Sequence, residues 1–159
     1  MHRLTRLRMV EIGVAVLLTL AALVFIGITV WAAEPGIRVT DAWARPSLGK
    51  TNVSVAYMNI VNDGEADTLN AARSDLVEAI EVHQTMMSAD GVMQMRKVEG
   101  GLPIPAQGTV ALAPGGTHLM LVGLKQPLEE GSELPMTLEF ERAGAIDVRV
   151  PVRATAPAP

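Results

Sequence analysis

Two segments near the C-terminus alternate apolar and polar residues, the pattern of a strand with one buried face. Every second residue is apolar in ELPMTLEFE (133–141) and again in AIDVRVPV (145–152). Earlier segments of similar length are separated by turns rich in glycine, proline and aspartate. The predicted strands are 37–43, 52–62, 68–74, 79–86, 92–98, 108–113, 118–124, 133–141 and 145–152. Short strands at this spacing predict an all-β fold, an antiparallel sandwich or barrel.

The N-terminal segment Ile12–Ala33 carries no charge over 22 residues. As a helix it would extend roughly 33 Å, enough to cross a bilayer core. Arg3, Arg6 and Arg8 precede it, so the positive-inside rule sends the rest of the chain out of the cytoplasm. The segment is longer than a typical signal-peptide core, but the small residue Ala32 would permit cleavage. Both a transmembrane signal anchor and a cleaved signal peptide remain open.

This leader defines the predicted domain organisation. Residues 1–33 form the signal segment, 34–152 the β domain, and the Ala/Pro-rich tail 153–159 is disordered. The β domain is predicted to be periplasmic, or held in the periplasm by an inner-membrane anchor.

Composition excludes several classes of function. The chain has 159 residues, a net charge of -4 and no cysteine. The charge argues against a nucleic-acid partner. The missing thiols exclude disulfides, iron–sulfur clusters, thiol catalysis and a blue-copper centre. Neither histidine of the exported part has an obvious serine or aspartate partner in the sequence, so we predict that the protein is not an enzyme.

Histidine and methionine concentrate in two short segments, HQTMMSADGVMQM (83–95) and HLM (118–120). Because strand side chains alternate between faces, His83 points away from the apolar residues of its own strand. His118 and Met120 share one face, while Leu119 and Leu121 take the other. The two leucines are enough to supply the core, so the methionine between them calls for another explanation.

Residues 79–98 predict a hairpin whose loop sets the strand register. A five-residue loop, Met87–Gly91, pairs His83 directly with Met95, which puts their Cβ atoms roughly 4.5–5.5 Å apart. A different loop length would shift this pairing, and Met93 is then the nearest substitute for Met95. The hypothesis is that His83, Met95, His118 and Met120 converge.

Two interpretations of this cluster remain open at this point. Thioethers are soft and imidazole is borderline, so together they favour Cu(I) over zinc, magnesium or calcium. Methionine is also an adaptable core residue, and a strand histidine often has a structural role. On the second interpretation the chain is a metal-free Ig-like interaction module.

Several segments resemble the PCu(A)C family of periplasmic copper chaperones. They are DAWARPS (41–47), AYMNIVN (56–62), VEAIEVHQTMM (77–87), GVMQMRKVEG (91–100) and PGGTHLMLVGLKQPL (114–128). The resemblance covers about 37–152 and implies a cupredoxin-like β-sandwich. It also implies one Cu(I) per chain, held by His83, Met95, His118 and Met120. The intervals from His83 to Met95 and from Met95 to His118 are each one residue longer than in the family.

The resemblance further implies a function and partners. Members of the family carry copper toward the CuA centre of cytochrome c oxidase subunit II, in some cases with a Sco-type copper protein. Copper sequestration or resistance in the periplasm is the alternative. The C-terminal tail has neither histidine nor methionine, so we expect a single copper site.

Overall fold

The computed structural model describes residues 36–47, 49 and 51–157. The predicted leader at 1–33 and the last two residues of the predicted tail lie outside this range. Within it, no helix is both long and apolar enough to span a membrane. The beginning of the tail is hydrogen-bonded to the domain, because Arg153 N–H donates to the Ala44 carbonyl at 2.9 Å.

The described residues form ten strands. They are β1 (Ile37–Ala44), β2 (Val53–Asn62), β3 (Asp67–Arg73), β4 (Val77–Met87), β5 (Met93–Lys97), β6 (Leu102–Ile104), β7 (Gly108–Leu112), β8 (Thr117–Leu124), β9 (Glu133–Phe140) and β10 (Gly144–Pro151). Nine of them coincide with predicted strands to within about two residues. The sequence did not predict β6, because three residues between glycines and a proline are too few to show an alternation.

The strands pair into one antiparallel sheet with the order β1-β2-β8-β4-β3-β9-β10. Strands β5, β6 and β7 attach to β4, β3 and β2 respectively. A parallel bridge between Ala44 and Val152 brings the two ends of this order together. The sheet therefore curls into a nearly closed barrel or sandwich, and the all-β prediction is confirmed.

Apolar residues at alternate positions along β8 and β9 fill the interior of the barrel. Leu119 and Leu121 of β8 and Leu134 and Leu138 of β9 are fully buried. The side chains between them point away from this core, as the period of two requires. The outward face of β8 is therefore available to present His118 and Met120.

Asp67, buried at the start of β3, holds the turn between β9 and β10. Its carboxylate accepts hydrogen bonds from the backbone N–H groups of Arg142 and Ala143 at 2.9 Å and of Thr68 at 2.7 Å. Burial alone would raise the pKa of Asp67, but these backbone donors and the charge of Arg142 lower it below its usual value. The carboxylate is thus an ionised link between β3 and this turn.

The register of the β4–β5 hairpin differs from the prediction. His83 pairs with Lys97, and Met95 pairs with Thr85. The predicted direct pairing of His83 with Met95 is therefore wrong by two residues. The ladder continues to Ser88, whose N–H donates to the Val92 carbonyl at 2.8 Å.

The physical reason for this difference lies in the turn. The loop has three residues, 89–91, instead of five, and Gly91 adopts a φ of 76°. A glycine in this left-handed region permits the tight three-residue hairpin turn. Since the register shifts by an even number, every side chain keeps its face.

Candidate metal centre

A row of ring side chains crosses the outer face of the barrel. Trp43 of β1 lies beside Tyr57 of β2, with ring centroids 4.8 Å apart, and Tyr57 lies 6.4 Å from the His118 ring of β8. His118 and His83 are directly paired on β8 and β4, and their ring centroids are 6.1 Å apart. The row leaves His118 only 5% exposed although it points away from the core. Two imidazoles are therefore held side by side on rigid strands.

One ring nitrogen of His118 is engaged by the backbone. Its Nδ1 lies 3.1 Å from the carbonyl oxygen of Gly116. A carbonyl only accepts, so we assign the proton to Nδ1, which donates this hydrogen bond. The lone pair of the neutral ring is then on Nε2, which is the atom available to a metal.

His83 is oriented by an acidic partner on its own strand. Its Nε2 donates to Glu81 Oε2 at 2.9 Å, and the other Glu81 oxygen accepts a 2.9 Å hydrogen bond from Lys97 Nζ. The hydrogen bond from Lys97, followed by the one from His83, lowers the pKa of Glu81. An ionised carboxylate behind a ring nitrogen is the usual support of a metal-binding histidine.

The remaining nitrogen of His83 has no partner. Nδ1 is buried and makes no hydrogen bond within the part of the chain that the structure describes. An unpaired buried nitrogen costs free energy, so such a group calls for an explanation. With Nε2 protonated, Nδ1 carries the free lone pair of the His83 ring. The arrangement offers one free nitrogen from each histidine.

Met120 lies next to this pair. It is paired with Glu81 across β8 and β4, and it is half-buried between the fully buried Leu119 and Leu121, whose side chains lie on the opposite face. The expectation that Met120 faces away from the core agrees with this burial pattern. Met120 is two residues from His118 on β8, so the two side chains share a face and their Cα atoms are about 6.6 Å apart.

Met95 and Met93 lie on the other side of the pair, toward the hairpin tip. Met95 lies two residues from Lys97 along β5, on the same face as the His83–Lys97 pair. Met93 pairs with Met87 and lies four residues from Lys97 on that face. Both side chains are 56% exposed. Met95 is thus closer to the histidines than its substitute Met93, although not directly opposite His83.

The donors next to the two imidazoles are therefore thioethers. In the described ranges no three His, Asp or Glu side chains converge as a metal site. Two neutral nitrogens with neighbouring sulfur form a soft-to-borderline set, which suits Cu(I) better than a hard cation. The donor set on this face fits the metal that the sequence predicted.

The sequence did not reveal the role of Glu81, which shares a strand face with His83. The signal was present as Glu-Val-His, because residues two apart on a strand share a face and are close enough to hydrogen-bond. Lys97 could not be recognised as the second hydrogen-bond partner of Glu81, since its position depends on the hairpin register. Trp43 and Tyr57 were likewise not recognised as neighbours of His118.

Comparisons with known proteins agree with this fold. The profile of the LpqE-like family, described as "Putative lipoprotein LpqE-like", matches residues 37–152. The "Putative lipoprotein Lxx21020" of Leifsonia xyli subsp. xyli (strain CTCB07) is 34% identical over 119 residues, covering 74% of this chain and 70% of the relative.

Solved structures extend the comparison. The copper-bound PCuAC domain from PmoF2 matches with a TM-score of 0.64 at 26% identity, covering 77% of this chain and 97% of that domain. The solution structure of CuI-DR1885 from Deinococcus radiodurans matches with a TM-score of 0.56 at 28% identity, covering 78% and 84%. The resemblance to the PCu(A)C family is confirmed, and the chain belongs to the LpqE-like family of PCuAC-type domains.

Proposed function

We propose that this domain is an extracytoplasmic copper chaperone that binds one Cu(I) and releases it by ligand exchange. The ligands are Nδ1 of His83, Nε2 of His118 and the thioethers of Met120 and Met95, with Met93 as the substitute for Met95. The observation that carries the proposal is the buried, unpartnered Nδ1 of His83, whose ring centroid lies 6.1 Å from that of His118.

The chemistry of the donors supports Cu(I) as the cargo. All four ligands are neutral, and thioethers stabilise the cuprous ion more than the cupric ion. A site without thiols cannot close into a disulfide in an oxidising compartment. The similar structures include a copper-bound PCuAC domain and a protein described as CuI-DR1885, which supports the same cargo here.

The exposure of the ligands supports transfer. The His83 side chain is 18% exposed and Met95 is 56% exposed, so one side of the site is open to an incoming ligand. A carrier has to give up its ion, and an exposed thioether is a ligand that a partner can displace. His118 is nearly buried, so it should be the last ligand to dissociate from the ion.

We further propose a destination and a location. The acceptor is the CuA centre of cytochrome c oxidase subunit II, with a Sco-type copper protein as a second partner. The lipoprotein names in the family and the apolar segment 12–33 support an extracytoplasmic, membrane-associated protein. The inner membrane, with the domain in the periplasm, is the location that fits the basic residues before that segment.

Anaerobic Cu(I) titration against a chromophoric chelator such as bicinchoninate tests the site. The wild-type protein should bind one Cu(I), and X-ray absorption of the complex should show both nitrogen and sulfur ligands. A His118→Ala/Met120→Ala double variant that retains wild-type affinity would show that the site is wrong. Protein that stays metal-free in the titration would favour the interaction module instead.

Deletion of the coding sequence in the source bacterium tests the destination. Loss of oxidase activity that added copper restores would support delivery to the CuA centre. Copper sensitivity with normal oxidase activity would instead indicate sequestration.

A further inference from the structure

The end of the β4–β5 hairpin projects beyond the barrel as an arm, residues 85–95. The pairing of β4 with β8 ends at Gln84 and Thr117, followed by one hydrogen bond from Thr85 N–H to the Gly116 carbonyl at 3.2 Å. Beyond this point the strand partner of β4 is β5, and all five residues of β5 are exposed. In the described ranges β5 pairs with no other strand. Both faces of the arm are therefore accessible.

One face of the arm carries three thioethers. Met87 pairs directly with Met93, and Met95 is the next residue of β5 on that face. The side chains are 68%, 56% and 56% exposed. Met86 points to the other face, opposite Gln94, and is 47% exposed. Met87, Met93 and Met95 therefore lie on the face of the hairpin that also carries His83, between His83 and the hairpin tip.

The spacing lets these sulfurs meet. Directly paired side chains have Cβ atoms roughly 4.5–5.5 Å apart, and a diagonal pair is roughly 7–8 Å apart. Methionine has three rotatable side-chain bonds and a polarisable sulfur, so Met87, Met93 and Met95 can reach a common point above the strands. Neutral sulfur donors alone are suited to Cu(I) and unsuited to zinc, calcium or magnesium.

We propose that Met87, Met93 and Met95 form a second, all-thioether Cu(I) site that receives the ion before it reaches the histidines. This inference rests on the proposed function and adds an entry step to it. Met95 belongs to both sites. The ion keeps its bond to Met95 and moves inward when its bonds to Met87 and Met93 break. Bonds to Nδ1 of His83, Nε2 of His118 and the thioether of Met120 form in their place.

The direction of movement follows from the ligands. The copper stays Cu(I) throughout, and no proton moves, because thioethers do not titrate and each receiving nitrogen already holds a free lone pair. The outer site is exposed and has no imidazole, so it binds the ion more weakly than the inner site. Transfer is therefore downhill from the arm to the barrel, and one equivalent of Cu(I) rests at the inner site.

Removal of the inner imidazoles isolates the outer site. A His83→Ala/His118→Ala variant, titrated with Cu(I) against bicinchoninate, should retain one weakly bound ion with an all-sulfur X-ray absorption spectrum. Adding Met87→Leu and Met93→Leu should lower this residual affinity at least about tenfold. The matched control is Met86→Leu on the opposite face of the same arm, which should have no effect.

Two outcomes of this titration overturn the inference. One is a histidine variant that binds no Cu(I) while the wild type binds one, which leaves the proposed function standing. The other is a residual affinity that Met86→Leu lowers as much as the Met87/Met93 pair. A wild type that binds no Cu(I) would mean that the proposed function itself fails.

Kinetics with both histidines in place provide a test that does not depend on the histidine variant folding. In stopped-flow mixing with the Cu(I)–bicinchoninate complex, Met87→Leu should slow uptake at least about tenfold, with equilibrium affinity nearly unchanged. Met86→Leu should take up copper at the wild-type rate. Equal rates for all three proteins would overturn the entry role.

Discussion

The barrel interior and the β4–β5 arm both contain methionine, in opposite environments. Met58 of β2 is 1% exposed and Met136 of β9 is 3% exposed, so both fill the core. Met87 and Met93 on the arm are more than half exposed and contact solvent. The same thioether is a packing group in one region and an accessible soft donor in the other.

This contrast shows that the fold can hold a metal site without depending on that site for its stability. The barrel is stabilised by buried aliphatic side chains and by the Asp67 link, whereas the arm contributes little buried area. The two histidines lie between these regions, on the barrel wall but facing away from its core. We therefore expect changes in the core to alter folding and changes at the histidines to alter copper binding. Changes at the exposed tip of the arm, such as at Met87, should alter neither folding nor tight copper binding.

The largest expected effect is that of Leu119→Ala in β8. This side chain is fully buried, and its truncation should lower the free energy of unfolding by about 2–5 kcal/mol. Met93→Ala on the arm should change it by less than about 0.5 kcal/mol. Urea denaturation of the metal-free proteins measures both values. Comparable losses for the two variants would remove the distinction between barrel and arm.

The second-largest expected effect is on copper affinity, at His118, which precedes Leu119 in β8. His118→Ala should weaken Cu(I) binding by about 100-fold or more, since even supporting groups of metal ligands are worth 10- to 100-fold. Its loss of unfolding free energy should be smaller than that of Leu119→Ala. Competition titrations and urea denaturation on the same two variants make the comparison. Retained Cu(I) affinity in His118→Ala would contradict the site.

Asp67→Asn should destabilise the barrel by about 1–3 kcal/mol at pH 7, because an amide leaves backbone donors of the β9–β10 turn without an acceptor. The pKa of Asp67 is lowered in the folded state, so its contribution is fully present above the unfolded value of about 4. That contribution is lost as the pH falls through the folded pKa. Denaturation between pH 7 and pH 2 should show wild type and variant converging only in acid. A constant difference would contradict the ionised link.

Glu81→Ala should have the smallest effect, weakening Cu(I) binding by about tenfold through loss of the group that orients His83. Glu81→Gln should recover part of the affinity, because the amide oxygen still accepts from Nε2–H. Nitrogen NMR of the His83 ring reports the tautomer, which a purely structural role would not change. An unchanged tautomer in Glu81→Ala would show that the carboxylate does not select Nδ1 as the ligand atom.

Much of the fold could be predicted from the sequence, because strand alternation is a local signal. The period of two in 133–141 and 118–124 identified β9 and β8 and the faces of their side chains. The short β6 carries no such signal. The hairpin register was missed, because Gly91 permits a three-residue turn that the sequence does not distinguish from a longer one.

The identity of the donors and the strand faces they occupy follow from the amino-acid sequence. The composition provides imidazoles and thioethers but no thiol. An even shift in strand register leaves every side chain on the same face of the sheet. Three other relations are visible only in the folded chain: His83 lies opposite His118, Glu81 and Lys97 support it, and Nδ1 is its free nitrogen. These relations depend on strand pairing between residues far apart in the chain, for which a single sequence carries no local signal.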